Sequence, residues 1–149
     1  MTDRGRVRMV DVSWKPVTVR AAEASGRIAM SPAAARAIRT GRVAKGNVLA
    51  VARVAGIMAA KRASETLPLC HPVPLDSVEV DLVPGARGVE VRARVRAEAR
   101  TGVEMEALAA VTAALLCVYD MVKSLDRGMT IRDVRLEAKS GGRSGNFVR

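Results

Sequence analysis

The chain has 149 residues, 49% of them hydrophobic, with 25 Lys and Arg against 15 Asp and Glu and a formal net charge of +10. That suits one domain with a real core, excludes an acidic disordered tail, and calls for an anionic partner. Aromatics are only 2%, namely Trp14, Tyr119 and Phe147, so stacking surfaces for nucleic-acid bases are almost absent. Two cysteines, Cys70 and Cys117, make no disulfide framework and point to a reducing compartment. Residues 1–8 are basic but lack the apolar stretch of a signal peptide, and no run of about 18 apolar residues stands out. A cytoplasmic protein without a membrane span is therefore expected.

In chain order, residues 1–9 read as a disordered basic arm. Val17–Glu23 and Gly26–Met30 read as two short strands with a turn at Ser25-Gly26. Ser31-Pro32 is a helix N-cap followed by proline at the first helical position, and Gly41 should close that short helix. Gly46–Thr66 reads as a longer helix with Val48, Val51, Ala52, Ala55, Met58 and Ala59 on its apolar face, and with Gly56 allowing close approach. Prolines 68, 72 and 74 make Leu67–Pro74 a rigid extended loop. Ser77–Val83 and Val89–Arg100 form a hairpin. In its second strand Val89, Val91, Ala93, Val95, Ala97 and Ala99 alternate with charged residues, the pattern of one buried and one solvated face. Val103–Leu125 carries a continuous helical stripe of Val103, Ala107, Val111, Ala114, Val118, Met121 and Leu125. Met129–Lys139 is a last strand, and residues 140–149 are a Gly-rich basic tail. The order predicts an α+β, ferredoxin-like split βαβ fold: an antiparallel sheet with helices on one face, preceded by an N-terminal hairpin and a short helix.

The basic residues are twenty Arg and only five Lys: Lys15, Lys45, Lys61, Lys123 and Lys139. A drift towards Arg would leave lysine mainly where a guanidinium cannot serve, because an ammonium is a compact charge with a tunable pKa. His71 joins the candidates as the sole histidine. Cys70 and His71 are adjacent, with no second histidine, so they match no zinc spacing and no metal is expected. Thr101 could cap the long helix with Glu104 completing a capping box, which leaves Glu106 as the acid a cap does not need. Asp120 and Lys123 sit one helical turn apart; such spacing is commonly a surface ion pair, but it also suits a carboxylate that positions an ammonium for acid–base work. Lys139-Ser140-Gly141-Gly142-Arg143-Ser144-Gly145 is no Walker loop, yet its glycines, hydroxyls and cations could wrap a phosphate chain or simply be a loose tail. Lys45-Gly46-Asn47 opens a helix and offers either an anion site or a solvated turn. At ~1.5 Å rise per residue, Glu106 and Asp120 lie about 21 Å apart on one helix. They belong either to two sites or to one site built from two subunits.

Taken together these stretches resemble one family, cyclic pyranopterin monophosphate synthase, the molybdenum-cofactor biosynthesis protein C. The resemblance runs through Met9–Ser13, Lys45–Leu49, Ala55–Lys61, Leu67–Pro72, Thr101–Leu108, Tyr119–Met121 with Lys123, and Lys139–Gly142. It implies a lyase of molybdenum cofactor biosynthesis with a single catalytic domain over residues 10–139. The substrate would be a cyclised dihydroguanosine triphosphate, rearranged to cyclic pyranopterin monophosphate with release of pyrophosphate. No metal or organic cofactor is implied, beyond magnesium carried by the substrate. The implied assembly is a homohexamer, a trimer of dimers with sites between subunits.

By motif, Asp120 and Lys123 would be catalytic, with Lys45 assisting across the interface. Leu69, Cys70, His71, Met105 and Glu106 would line the substrate site with Glu104, while Lys61, Lys139 and Arg20 would meet phosphates. Asn47 stands where Asp is expected, Ala63 and Ala109 where Thr is, and Arg143 where Lys is. Asn47 would weaken the orientation of Lys45. The competing reading is an RNA-binding split βαβ module. It fares worse, because the outward face of the hairpin alternates Arg with Glu and carries no aromatic.

Overall fold

The computed structural model describes residues 5–149, so part of the expected basic arm, residues 1–4, lies outside it. The elements are β1 (Thr18–Ala29), α1 (Pro32–Arg39), α2 (Val48–Lys61), α3 (Ala63–Thr66), β2 (Ser77–Pro84), β3 (Gly88–Ala99), α4 (Glu104–Val122), β4 (Thr130–Ser140) and β5 (Phe147–Val148). The five strands form one sheet in the order β2-β3-β1-β4-β5, and every neighbouring pair is antiparallel. With α1 and α2 crossing between β1 and β2, and α4 between β3 and β4, this is the ferredoxin-like split βαβ arrangement.

The alternation in β3 is realised without exception. Val89, Val91, Ala93, Val95, Ala97 and Ala99 are buried, and the charged residues between them face solvent. Above them lies α4, which buries Ala107, Val111, Ala114, Val118 and Met121 of the expected stripe. Leu125 falls beyond the end of the helix and is exposed. By length and hydropathy α4 is sufficient to cross a membrane, contrary to the expectation that no such run exists, but half of it is buried within the fold. It packs on β1, β3, β4 and α2.

Ser31 caps α1 by accepting the Ala34 N–H at 3.2 Å, with Pro32 as the first helical residue. Gly41, at φ +67°, closes it, and the Arg42 N–H returns to the Ala37 carbonyl at 2.9 Å.

Four expectations are corrected. β1 is one twelve-residue strand rather than a hairpin. Gly26 is not a turn but a gap in the sheet surface: a Cβ there would press on Leu115, Val111 and Val134. The irregularity lies instead in the β1–β4 pairing, where the register shifts between Ser25 and Arg27 and Asp133 on β4 takes a left-handed φ of 56°. The buried face of α2 is Val48, Ala52, Gly56 and Ala60, so Val51 and Met58 point outward. This rotation lets Gly56 face the Ala110 carbonyl of α4, too close for a side chain. The long helix also breaks at Arg62, leaving α3 as a separate turn. Finally, Thr101 does not cap α4: Val103 occupies the N-cap position with no side-chain bond, and Glu104 is left as an acid in the first turn beside the positive end of the helix dipole.

Candidate active site

α4 carries candidate residues at both ends. At its last turn, Lys123 Nζ donates to Asp120 Oδ1 at 2.8 Å, and Lys45 Nζ donates to Asp120 Oδ2 at 2.8 Å and to the Asp120 carbonyl at 3.0 Å. Lys45 precedes α2, whose packing along α4 brings it to this turn. The resemblance implied that Lys45 would act across an interface, but it already meets Asp120 within one chain. Asn47 does not hold Lys45; it is the N-cap of α2, accepting the Ala50 N–H at 3.0 Å. Asparagine caps about as well as aspartate, so the helix start survives the exchange. Hydrogen bonds from Lys123 and Lys45 hold the Asp120 carboxyl down at about 2, although the side chain is exposed to solvent. It is therefore a fixed anion that organises two ammoniums.

At the first turn of α4, Glu106 is buried, 3% exposed, and its Oε2 has no partner among the described residues. Burial pushes its carboxyl above the usual range, and Glu104 adds to the effect. Cys70, on the proline loop, donates its thiol to Glu106 Oε1 at 3.8 Å. Burial, then the Glu106 charge, pushes that thiol up in turn, which leaves it a poor nucleophile. Leu69 and Met105 are exposed beside this pair, 48% and 41%. His71 Nε2 lies 2.7 Å from the Val10 carbonyl. Little in the sequence ties residues 10–15 to this end of the molecule beyond the family resemblance of Met9–Ser13.

The expected phosphate residues gather at the same end. Buried Arg20 donates from Nε to the Ala99 carbonyl at 3.3 Å and from Nη2 to the Arg100 carbonyl at 3.2 Å, just before α4 begins. Lys139 bonds the Ser144 hydroxyl and lies 3.7 Å from Glu104. The segment after β4 is thus folded back, ending in β5 against Ala138 and Lys139. Lys61, at the far end of α2, lines a cavity of about 380 Å³ with Ile57, Val73 and Leu75 beside the proline loop. Among the described residues no three His, Cys, Asp or Glu side chains cluster as a metal would require.

The larger cavity, about 720 Å³, lies elsewhere, on the open face of the sheet. Its arginines are paired: Arg92 with Glu23 and Arg94 with Glu23 and Asp81 across strands, and Arg135 with Glu137 within β4. None of the candidate residues lines it.

The model of the MoaC family matches residues 9–142. The chain belongs to the MoaC family. Curated relatives named cyclic pyranopterin monophosphate synthase cover it end to end. The protein of Thermomicrobium roseum is 56% identical over 100% of this chain and 91% of its own length. That of Parvibaculum lavamentivorans is 53% identical over 99% of this chain and 93% of its own. A Mycobacterium tuberculosis protein, numbered 3 under the same name, is 55% identical over 100% of this chain and 85% of its own. This MoaC family member is accordingly an enzyme of molybdenum cofactor biosynthesis.

Proposed function

We propose that this chain is a lyase that converts the cyclised dihydroguanosine triphosphate 3′,8-cyclo-7,8-dihydro-GTP to cyclic pyranopterin monophosphate and pyrophosphate. The observation that carries this reading is the Lys45–Asp120–Lys123 cluster, with one carboxylate between two ammoniums at 2.8 Å each. Ring opening and closure need several proton transfers, which positioned ammoniums can supply once a fixed anion holds them. In the phosphate step a sugar hydroxyl gives up its proton and attacks the α-phosphorus. The bond to the β-phosphate oxygen breaks, and pyrophosphate leaves with the electron pair. Arg20 and Lys139 would hold that leaving group, while Leu69, Cys70, His71, Met105 and Glu106 would surround the base-derived ring.

A single site needs both ends of α4, and about 21 Å separates Glu106 from Asp120 along one helix. We read the site as shared between subunits of a homohexamer, a trimer of dimers, in which the Asp120 end of one copy meets the Glu106 end of another. Val51 and Val54 on α2 and Leu116 on α4, at 47%, 59% and 59% exposure, give the helical layer apolar surface for such contacts. Free Cys70 and Cys117 suit the reducing cytoplasm. The test is complementation. Lys123→Ala and His71→Ala, each inactive alone, should regain part of the wild-type turnover when mixed and exchanged. Mixtures that stay as inactive as their parents, despite proven subunit exchange, sink the shared site.

A further inference from the structure

The Arg20–Lys139 end has a neighbour that the proposed reaction does not use. Residues 10–15 form a strap tied down at both flanks. His71 Nε2 lies 2.7 Å from the Val10 carbonyl, and Arg100 Nε donates to the Lys15 carbonyl at 3.0 Å. Between these ties the strap turns tightly. The Ser13 N–H meets Asp11 Oδ1 at 2.9 Å, the Lys15 N–H meets the Val12 carbonyl at 3.0 Å, and the indole N–H of Trp14 donates to the Asp11 carbonyl at 3.2 Å. Trp14 is the single tryptophan, and it is 59% exposed, so it is not there to fill the core.

Its ring is instead a platform for cations. The Arg143 guanidinium carbon lies 5.3 Å from the ring centroid and Lys15 Nζ 5.6 Å, both within cation–π range. Arg143 comes from the C-terminal glycine loop, and its two neighbours in sequence touch the two phosphate candidates. Gly142, at φ +79°, lies so close to Arg20 that a Cβ would collide with Nη1, and the Ser144 hydroxyl bonds Lys139. A planar guanidinium stacks on an aromatic face as an ammonium does not, which gives arginine at position 143 a physical role.

We propose that Trp14 is a positioning residue whose ring holds Arg143 beside Arg20 and Lys139, completing a three-cation grip on the triphosphate of the substrate. The idea rests on the nucleotide reading above. Closing the grip on an anion pulls Arg143 towards the phosphates, and the indole registers the movement.

Because Trp14 is the only tryptophan, emission of the full-length protein excited at the red edge of the indole band, where Tyr119 does not absorb, reports on it alone. Titration with inorganic pyrophosphate should give a saturable change in emission whose midpoint matches calorimetric binding, and Arg143→Gln should abolish that change. In steady-state kinetics with the triphosphate substrate, Trp14→Ala should raise KM by about two- to fivefold with kcat held, the size expected for one exposed cation–π contact. Trp14→Phe should restore most of the loss, and Trp14→Ala should add nothing on an Arg143→Gln background. The proposal requires both arms. It is overturned by an emission unmoved by pyrophosphate, by a Trp14→Ala enzyme with wild-type KM, by a Trp14→Phe enzyme as impaired as Trp14→Ala, or by effects of the two positions that multiply. Should Trp14→Ala not fold, the phenylalanine and Arg143→Gln variants with the emission titration decide it. Should the wild-type chain turn over no nucleotide, the proposed reaction falls, and the emission response to pyrophosphate alone decides whether Trp14 and the cations are coupled.

Discussion

At the first turn of α4 a carboxyl group is buried with one oxygen unpartnered among the described residues; at the last turn a carboxylate stands in solvent between two ammoniums. The same functional group meets opposite conditions on one helix. Glu106 is pushed towards its neutral form by burial, and the fold bears the cost of its charge. Asp120 is pulled towards its charged form by Lys123 and Lys45, in water where such pairs add little to stability. One end therefore holds a desolvated polar group that a ligand can satisfy. The other presents a preset charge arrangement that costs the fold little to keep. A reaction that both binds a polar heterocycle and moves protons has use for each.

Five substitutions break or sharpen that contrast. The largest effect is expected at the exposed end. Lys123→Ala or Asp120→Ala should lower kcat by about 10²–10⁴-fold, the range of general acid–base groups, while the melting temperature and oligomer size stay near wild type. Turnover surviving at wild-type rates would remove this cluster from the chemistry. Next, Lys139→Ala should raise KM by roughly tenfold or more through loss of a charge-assisted contact, with a smaller change in kcat. An unchanged KM would separate Lys139 from phosphate binding.

At the buried end the effect should appear in stability and should carry a sign. The folded value of Glu106 lies above its unfolded value, so the native state holds the proton more tightly. Stability is fully present below the ordinary carboxylate range and declines as pH rises through the folded value. Glu106→Gln should therefore stabilise the free protein at neutral pH by about 1 kcal/mol, or roughly 2–4 °C in Tm. That gain should vanish in thermal melts at acidic pH, where both side chains are neutral; a gain that persists there would point to packing rather than charge. The smallest effect belongs to Asn47→Asp, which keeps the cap and adds a charge at the start of α2. A stabilisation of about 0.5 kcal/mol in denaturant melts, with turnover unaltered, would confirm that position 47 serves the helix and not Lys45.

What could be read along the chain was whatever depends on neighbours a few residues away. The alternation in β3, the Ser31-Pro32 helix start and the stripe on α4 are local statements of which side faces the core, and each holds except for Leu125, which lies past the end of α4 and is exposed. Gly26 misled because glycine serves turns and close packing alike, and only the arrival of Leu115 and Val111 beneath it distinguishes the two. Thr101 misled because a capping box is a local option that the backbone before α4 does not take. The exposed face of α2 was misjudged for a similar reason: an alanine-rich helix has several nearly equivalent apolar sides, and Gly56 against α4 chose among them.

The candidate site divides along the same line. Asp120 with Lys123 was legible, since one helical turn brings them together in any context. The sequence alone also determined the charge, the scarcity of aromatics and lysines, the element types and the residues that carry the family resemblance. The tertiary structure decided that Lys45 reaches Asp120 from the same chain, that Glu106 is buried, and that the strap, His71, Arg20 and the glycine loop converge on one end of α4. Those pairings join positions far apart in the chain. Periodicity records which way a side chain faces, whereas the identity of what it meets is set by how whole elements pack.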